Sequence, residues 1–118
     1  MAAKDELGRR GEALAAAHLT ARGYRLLERN WRCEIGEIDL VLEHGPETVF
    51  VEVKTRSGTG YGHPLEAITV IKLARLRRLA SLWCERHGGA RRAVRIDAVS
   101  VIAVPGTEPI IEHLERVF

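Results

Sequence analysis

The chain has 118 residues, 46% of them hydrophobic, and a net charge of +2. That suffices for one domain with a real core, residues 1–118. The small net charge does not by itself announce nucleic-acid binding, and no apolar run approaches the about 18 residues of a membrane span. The N-terminus, MAAKDELGRRGE, lacks a hydrophobic export segment, so the cytoplasm is the expected compartment. Cys33 and Cys84 are too few for a disulfide framework and lie at no zinc-site spacing, so free thiols are expected.

The first predicted element is a helix over about Asp5–Arg22, with Asp5 as its cap and Gly23 as its stop. Leu7, Gly11, Leu14, Ala15, His18 and Leu19 recur at helical spacing and face the core. Glu12 sits at the edge of that stripe, where a side chain can reach along a sheet. YRLLERNWR is a first strand, and Glu34–Gly36 a turn. Glu37–His44 alternates, with Ile38, Leu40 and Leu42 on one face and Glu37, Asp39, Val41 and Glu43 on the other.

Gly45-Pro46 marks a turn, and Thr48–Arg56 alternates again. There Val49, Val51 and Val53 oppose Phe50, Glu52 and Lys54. SGTGYGHP is a glycine-rich loop whose glycines permit close approach to a nucleic-acid backbone and whose Tyr61 can stack on a base; an ordinary flexible loop is the plainer reading. A second helix follows, capped by Thr69 and stopped by Gly88-Gly89. Its Leu73, Leu76, Leu79, Ala80, Leu82 and Trp83 read as core. Arg95–Val104 is a buried strand, on which Asp97 is expected to organise arginine or backbone groups. PIIEHLERVF offers a short edge strand. The order αβββαβ predicts an α/β fold, a mixed sheet flanked by helices.

Charge is unevenly spread. Lys72, Arg75, Arg77, Arg78, Arg86, Arg91, Arg92 and Arg95 form a basic stretch containing a single acid, Glu85. Lys72, Arg75, Arg78 and Arg86 are candidate phosphate contacts along one side of the second helix; a solvated basic face is the plainer reading.

The chemistry lies in the hairpin. A loop of two or four residues centred on Gly45-Pro46 puts position 39 opposite position 52, with Cβ atoms about 4.5–5.5 Å apart. A loop longer or shorter by one residue shifts that pairing. Two such carboxylates repel, by on the order of 4 kcal/mol at about 4 Å and an effective dielectric of about 20. A shared proton, a base or a bound cation must offset this. Lys54 lies on the same face as Glu52. Carboxylates suit a hard divalent ion such as Mg²⁺, and the pattern fits metal-assisted phosphodiester hydrolysis. Charges on a solvated strand face are the competing reading.

Gly11-Glu12, Gly36-Glu37-Ile38-Asp39-Leu40, Phe50-Val51-Glu52-Val53-Lys54-Thr55-Arg56 and Arg95-Ile96-Asp97 occur in that order. In these pieces the sequence resembles the PD-(D/E)xK nuclease superfamily, and most closely the YraN family of small bacterial proteins. The resemblance implies a restriction-endonuclease-like αβββαβ core, similar to that of archaeal Holliday-junction resolvases. It implies that Asp39 and Glu52 hold Mg²⁺ or Mn²⁺, that Lys54 assists the attacking water, and that Glu12 completes the site. Ile38 stands where the superfamily's name has proline. The implied partner is DNA, branched forms included, or RNA, with Arg56, Tyr61, Lys72, Arg75 and Arg78 as its contacts. No membrane partner is expected, and a homodimer is one assembly open to such a domain. A non-catalytic binding module on the same fold is the alternative.

Overall fold

In the computed structural model, residues 3–58, 60, 62–88 and 93–118 are described, with side chains from Glu6 onward. Helix α1 spans Ala3–Thr20. It begins before the expected cap, so Asp5 lies inside its first turn. It ends where Gly23 takes a φ of 91° and the Tyr24 amide returns to the Leu19 carbonyl at 3.2 Å, a glycine-dependent C-terminal cap.

Strands β1 (Arg25–Cys33), β2 (Gly36–His44) and β3 (Glu47–Arg56) follow as an antiparallel meander. His44 pairs with Glu47 across a two-residue Gly45-Pro46 turn. Gly45 has a φ of 56°, the left-handed conformation that such short hairpins need. A short 3₁₀ turn (Pro64–Ala67) and helix α2 (Val70–Arg86) then cross to β4 (Ala93–Ile102), which lies parallel to β3. As expected, Thr69 caps α2, its hydroxyl accepting from the Lys72 amide at 3.2 Å. Strand β5 (Ile110–Leu114) closes a mixed five-stranded sheet of order β1-β2-β3-β4-β5. This is the α/β, restriction-endonuclease-like architecture the sequence predicts. Among the described residues, no helix is long and apolar enough to cross a membrane.

The sheet is buried on both faces. Ala15, Ala16 and Leu19 of α1 pack on Leu40, Leu42, Val49, Val51, Val99 and Val101. Leu76, Leu79, Ala80 and Trp83 of α2 pack on Ile38, Val41, Phe50 and Ile96. One expectation fails here. Ile38 lies under α2 while Leu40 and Leu42 lie under α1, and Val41 is buried under α2. The pleat therefore breaks between Ile38 and Leu40. The break faces Asn30, which sits between the pairs Arg29↔Leu40 and Trp31↔Ile38 with a φ of 52°. A left-handed residue within a strand interrupts its alternation.

At the far end of the sheet, Arg95 is buried and cannot belong to the basic surface stretch. Its Nε and Nη2 donate to Asp97 at 3.0 and 2.8 Å, and it also reaches Tyr24 and Glu47. His113 and the Arg116 amide complete the shell of Asp97 at 2.7 and 3.0 Å. Arg86 is paired with Glu34, and Arg91 and Arg92 lie outside the described residues. Burial opposes ionisation of Asp97, but His113, Arg95 and the Arg116 amide outweigh it and hold its carboxyl below the usual range. Asp97 thus organises arginine and backbone groups. Replacing it alone removes the principal partner of a buried guanidinium, which keeps only Glu47, Glu115 and Tyr24. Asp97→Ala should cost about 3–5 kcal/mol of unfolding free energy in urea titrations, whereas Arg95→Met with Asp97→Leu should cost much less.

Candidate functional site

Strand β2 leaves β3 partway along the hairpin. Their ladder runs from His44↔Glu47 to Leu40↔Val51 and stops, although β3 stays paired with β4 as far as Arg56. At the parting, Oδ2 of Asp39 accepts a hydrogen bond from the Val53 amide at 2.8 Å. A side chain thus takes the place of the ladder's next rung. Continuing the register brings position 39 to position 52, and the Glu52 carboxyl lies near enough to disfavour ionisation of Asp39.

Helix α1 delivers the next acid. A Cβ on Gly11 would stand 1.8 Å from Oγ1 of Thr55, so only glycine lets the helix lie this close to β3. The following residue, Glu12, is thereby set over the parting, where Asn30 Nδ2 donates to its Oε1 at 2.9 Å. Glu12, Glu37 and Asp39 each place a carboxylate oxygen within 4.8 Å of the others, an acidic cluster able to hold a metal ion. Arg32 Nε lies 2.5 Å from Glu37 Oε2 but is largely exposed.

The four acids and Lys54 line an open cleft of about 1220 Å³ on the α1 side. Glu37, Glu52 and Lys54 also border a smaller opening of about 210 Å³ towards α2. The two openings meet where the strands part. Lys54 makes no hydrogen bond or ion pair among the described residues, which leaves its ammonium available to a ligand.

Burial above all, then the hydrogen bond and charge of Glu52, push Asp39 up to about 8 against the pull of the Val53 amide. Glu12 is also raised, first by burial, with the Asn30 amide opposing and Asp39 and Glu37 adding.

The sequence-derived acids Glu12, Asp39 and Glu52 therefore share one cleft with Lys54. Arg56 borders the cleft from the end of β3. Lys72 and Arg75 border the smaller opening, with Lys72 Nζ on the Ala67 carbonyl at 3.0 Å. Arg78 is exposed on α2 but lines neither opening. Tyr61 lies outside the described residues. Sequence reasoning overlooked Glu37 as a ligand, although it lies two residues before Asp39 on one strand. It also overlooked Asn30, Arg9 and Arg32, all of which line the cleft.

The model of the uncharacterised protein family UPF0102 matches residues 11–101. The chain belongs to the UPF0102 family. The resemblance to the YraN family is borne out by this match. A UPF0102 protein of Clavibacter michiganensis subsp. michiganensis is 59% identical over 112 residues, covering 95% of each chain. Those of Leifsonia xyli subsp. xyli and Arthrobacter sp. are 57% and 52% identical, covering 97% and 99% of each chain respectively. These UPF0102 names state a family and no reaction, so the chemistry of the cleft is the guide to its action.

The raised carboxyl of Asp39 has a signed consequence for stability without metal. The folded state keeps this proton up to about pH 8, while the unfolded chain releases it near pH 4. Between those values the native state binds more protons, so stability falls as pH rises, by at most about 1.4 kcal/mol per pH unit. Asp39→Asn retains an oxygen for the Val53 amide and has no such proton. Urea unfolding with chelator at pH 5 and pH 8 should show the variant gaining on wild type at the higher pH.

Proposed function

We propose that this UPF0102 protein is a metal-dependent nuclease that hydrolyses phosphodiester bonds of DNA, branched or structured forms included. The observation that carries this reading is the convergence of Glu12, Glu37, Asp39 and Glu52 at the parting of β2 and β3, beside a Lys54 with no ion pair among the described residues. Hard oxygen donors at this spacing suit Mg²⁺ or Mn²⁺, so the residues fit the ion. Asp39, Glu12 and Glu37 would hold it, with Glu52 joining from β3. When bound, the ion supplies positive charge against the phosphoryl oxygens and activates water.

The remaining work falls to the chain. Lys54 is placed to orient the attacking water through its N–H groups and to stabilise charge on the phosphoryl oxygens. Arg56 on the α1 side, with Lys72 and Arg75 on the α2 side, offers cations to flanking phosphates. Branched DNA is inferred from likeness to resolvases, and RNA is the competing substrate. A second reading also has support. Arg32 neutralises Glu37, and Asp39 keeps a proton, so the acids are tolerable without an ion. On that reading the domain binds nucleic acid or a protein and cuts nothing.

One experiment separates these readings. Branched, duplex and single-stranded DNA and RNA are incubated with Mg²⁺ or Mn²⁺, and Mn²⁺ binding is measured by calorimetry. Lys54→Met should keep or improve metal affinity, since a cation leaves the site, yet lower single-turnover cleavage by about 10²–10³. Glu52→Gln should lose affinity and cleavage together. Full-speed cleavage by Lys54→Met would refute the role given to the lysine. Absence of cutting by wild type on every substrate favours the binding module.

The basic face of α2 has its own test. Arg75→Ala with Arg78→Ala should weaken DNA binding and reduce the slope of log affinity against log salt by about one to two. An unchanged slope would put the nucleic acid elsewhere.

A further inference from the structure

Asn30 is a left-handed residue within β1, a strand that also shifts register between Leu26 and Glu28. It lies in mid-strand, directly across from Asp39, between the pairs Arg29↔Leu40 and Trp31↔Ile38. Its φ of 52° is left-handed, a conformation in which asparagine is among the few residues at ease. Its side chain turns to α1, where Nδ2 donates to Glu12 Oε1 at 2.9 Å in a partly buried setting. No other hydrogen bond to Glu12 is made among the described residues.

An amide suits this duty better than a base would. It fixes the plane of the carboxylate through one oxygen and leaves lone pairs on both oxygens for a cation. It brings no positive charge that would repel an ion. Partners of this kind hold ligands in the orientation that a metal requires.

We infer that Asn30 is a positioning residue for metal capture, holding Glu12 pre-oriented over Glu37 and Asp39. This rests on the reading of the cleft as a metal site. Its rival is purely conformational: asparagine is present only because the strand needs a left-handed residue. Glycine separates the two, because it accepts the backbone geometry and lacks the amide.

The test titrates Mn²⁺ by calorimetry into wild type, Asn30→Gly, Glu12→Gln and the double variant, with metal-free melting measured alongside. Asn30→Gly should melt close to wild type without metal yet bind Mn²⁺ about 10–100-fold more weakly. Adding it to Glu12→Gln should change affinity no further, because the two residues act as one unit. Asn30→Ala, which satisfies neither requirement, should lose metal-free stability as well as affinity. Wild-type affinity in Asn30→Gly, or additive losses in the double variant, overturns the positioning role and leaves the metal site standing. An Asn30→Gly chain that fails to fold makes the side chain structural and overturns it too. If wild type takes up no Mn²⁺, this inference and the proposed function fall together.

Discussion

The hydrogen bond from the Val53 amide to Asp39 is the contact on which the rest of the site depends. A sheet can open only if the backbone groups it exposes find other partners, since a buried unpaired amide is costly. Here β3 remains bonded to β4 along its whole length while β2 departs beyond Leu40. The carboxylate of Asp39 caps the exposed amide and so permits the departure. The same group is then fixed in the cleft it has opened, which Glu52 also lines. One residue thus serves as a piece of the sheet and as a member of the acidic cluster.

Two buried aspartates show how differently one side chain can be treated. Asp97 is surrounded by donors from Arg95, His113 and the Arg116 amide, and its carboxyl is held low. Asp39 has one amide donor among the acids Glu52 and Glu37, and its carboxyl is pushed high. The first carboxylate is fully buried and surrounded by donors. The second keeps its proton at neutral pH and has acids as its neighbours. Perturbation by burial together with like charges in a cleft marks the sites where proteins do chemistry, and Asp39 rather than Asp97 meets that description.

Much of this was legible in the sequence, because strand chemistry is periodic. Gly45-Pro46 announced the hairpin, and the hairpin set position 39 towards position 52. Two-residue spacing put Glu52 and Lys54 on one face. What could not be read is what depends on distant partners. Arg95 looked like one more cation in a basic run, but Asp97, Tyr24 and Glu47 draw it inside. The face of Ile38 was misassigned because alternation assumes an unbroken pleat, and Asn30 breaks it from the neighbouring strand. Glu37 was visible within the motif, but only the approach of Glu12 from α1 makes it part of a cluster.

That approach shows how the fold and the site are linked. Glu12 comes from a helix, Asp39 and Glu37 from β2, Glu52 and Lys54 from β3, and the amide that steadies Glu12 from β1. Helix α1 and strand β2 form the cluster of Glu12, Glu37 and Asp39, and β3 and β1 add Glu52, Lys54 and Asn30 around it. The close contact of Gly11 with Thr55 sets the height of α1, and the Asn30 amide sets the orientation of Glu12, so the helical acid is placed by two strands at once. Acids gathered from so many elements repel one another when the chain is folded and are far apart when it is not. Arg32 beside Glu37 and the proton kept by Asp39 temper that repulsion in the metal-free fold. A ligand that binds only the assembled state returns its binding energy to the fold, and Glu12, Glu37 and Asp39 form a cluster able to hold a metal ion.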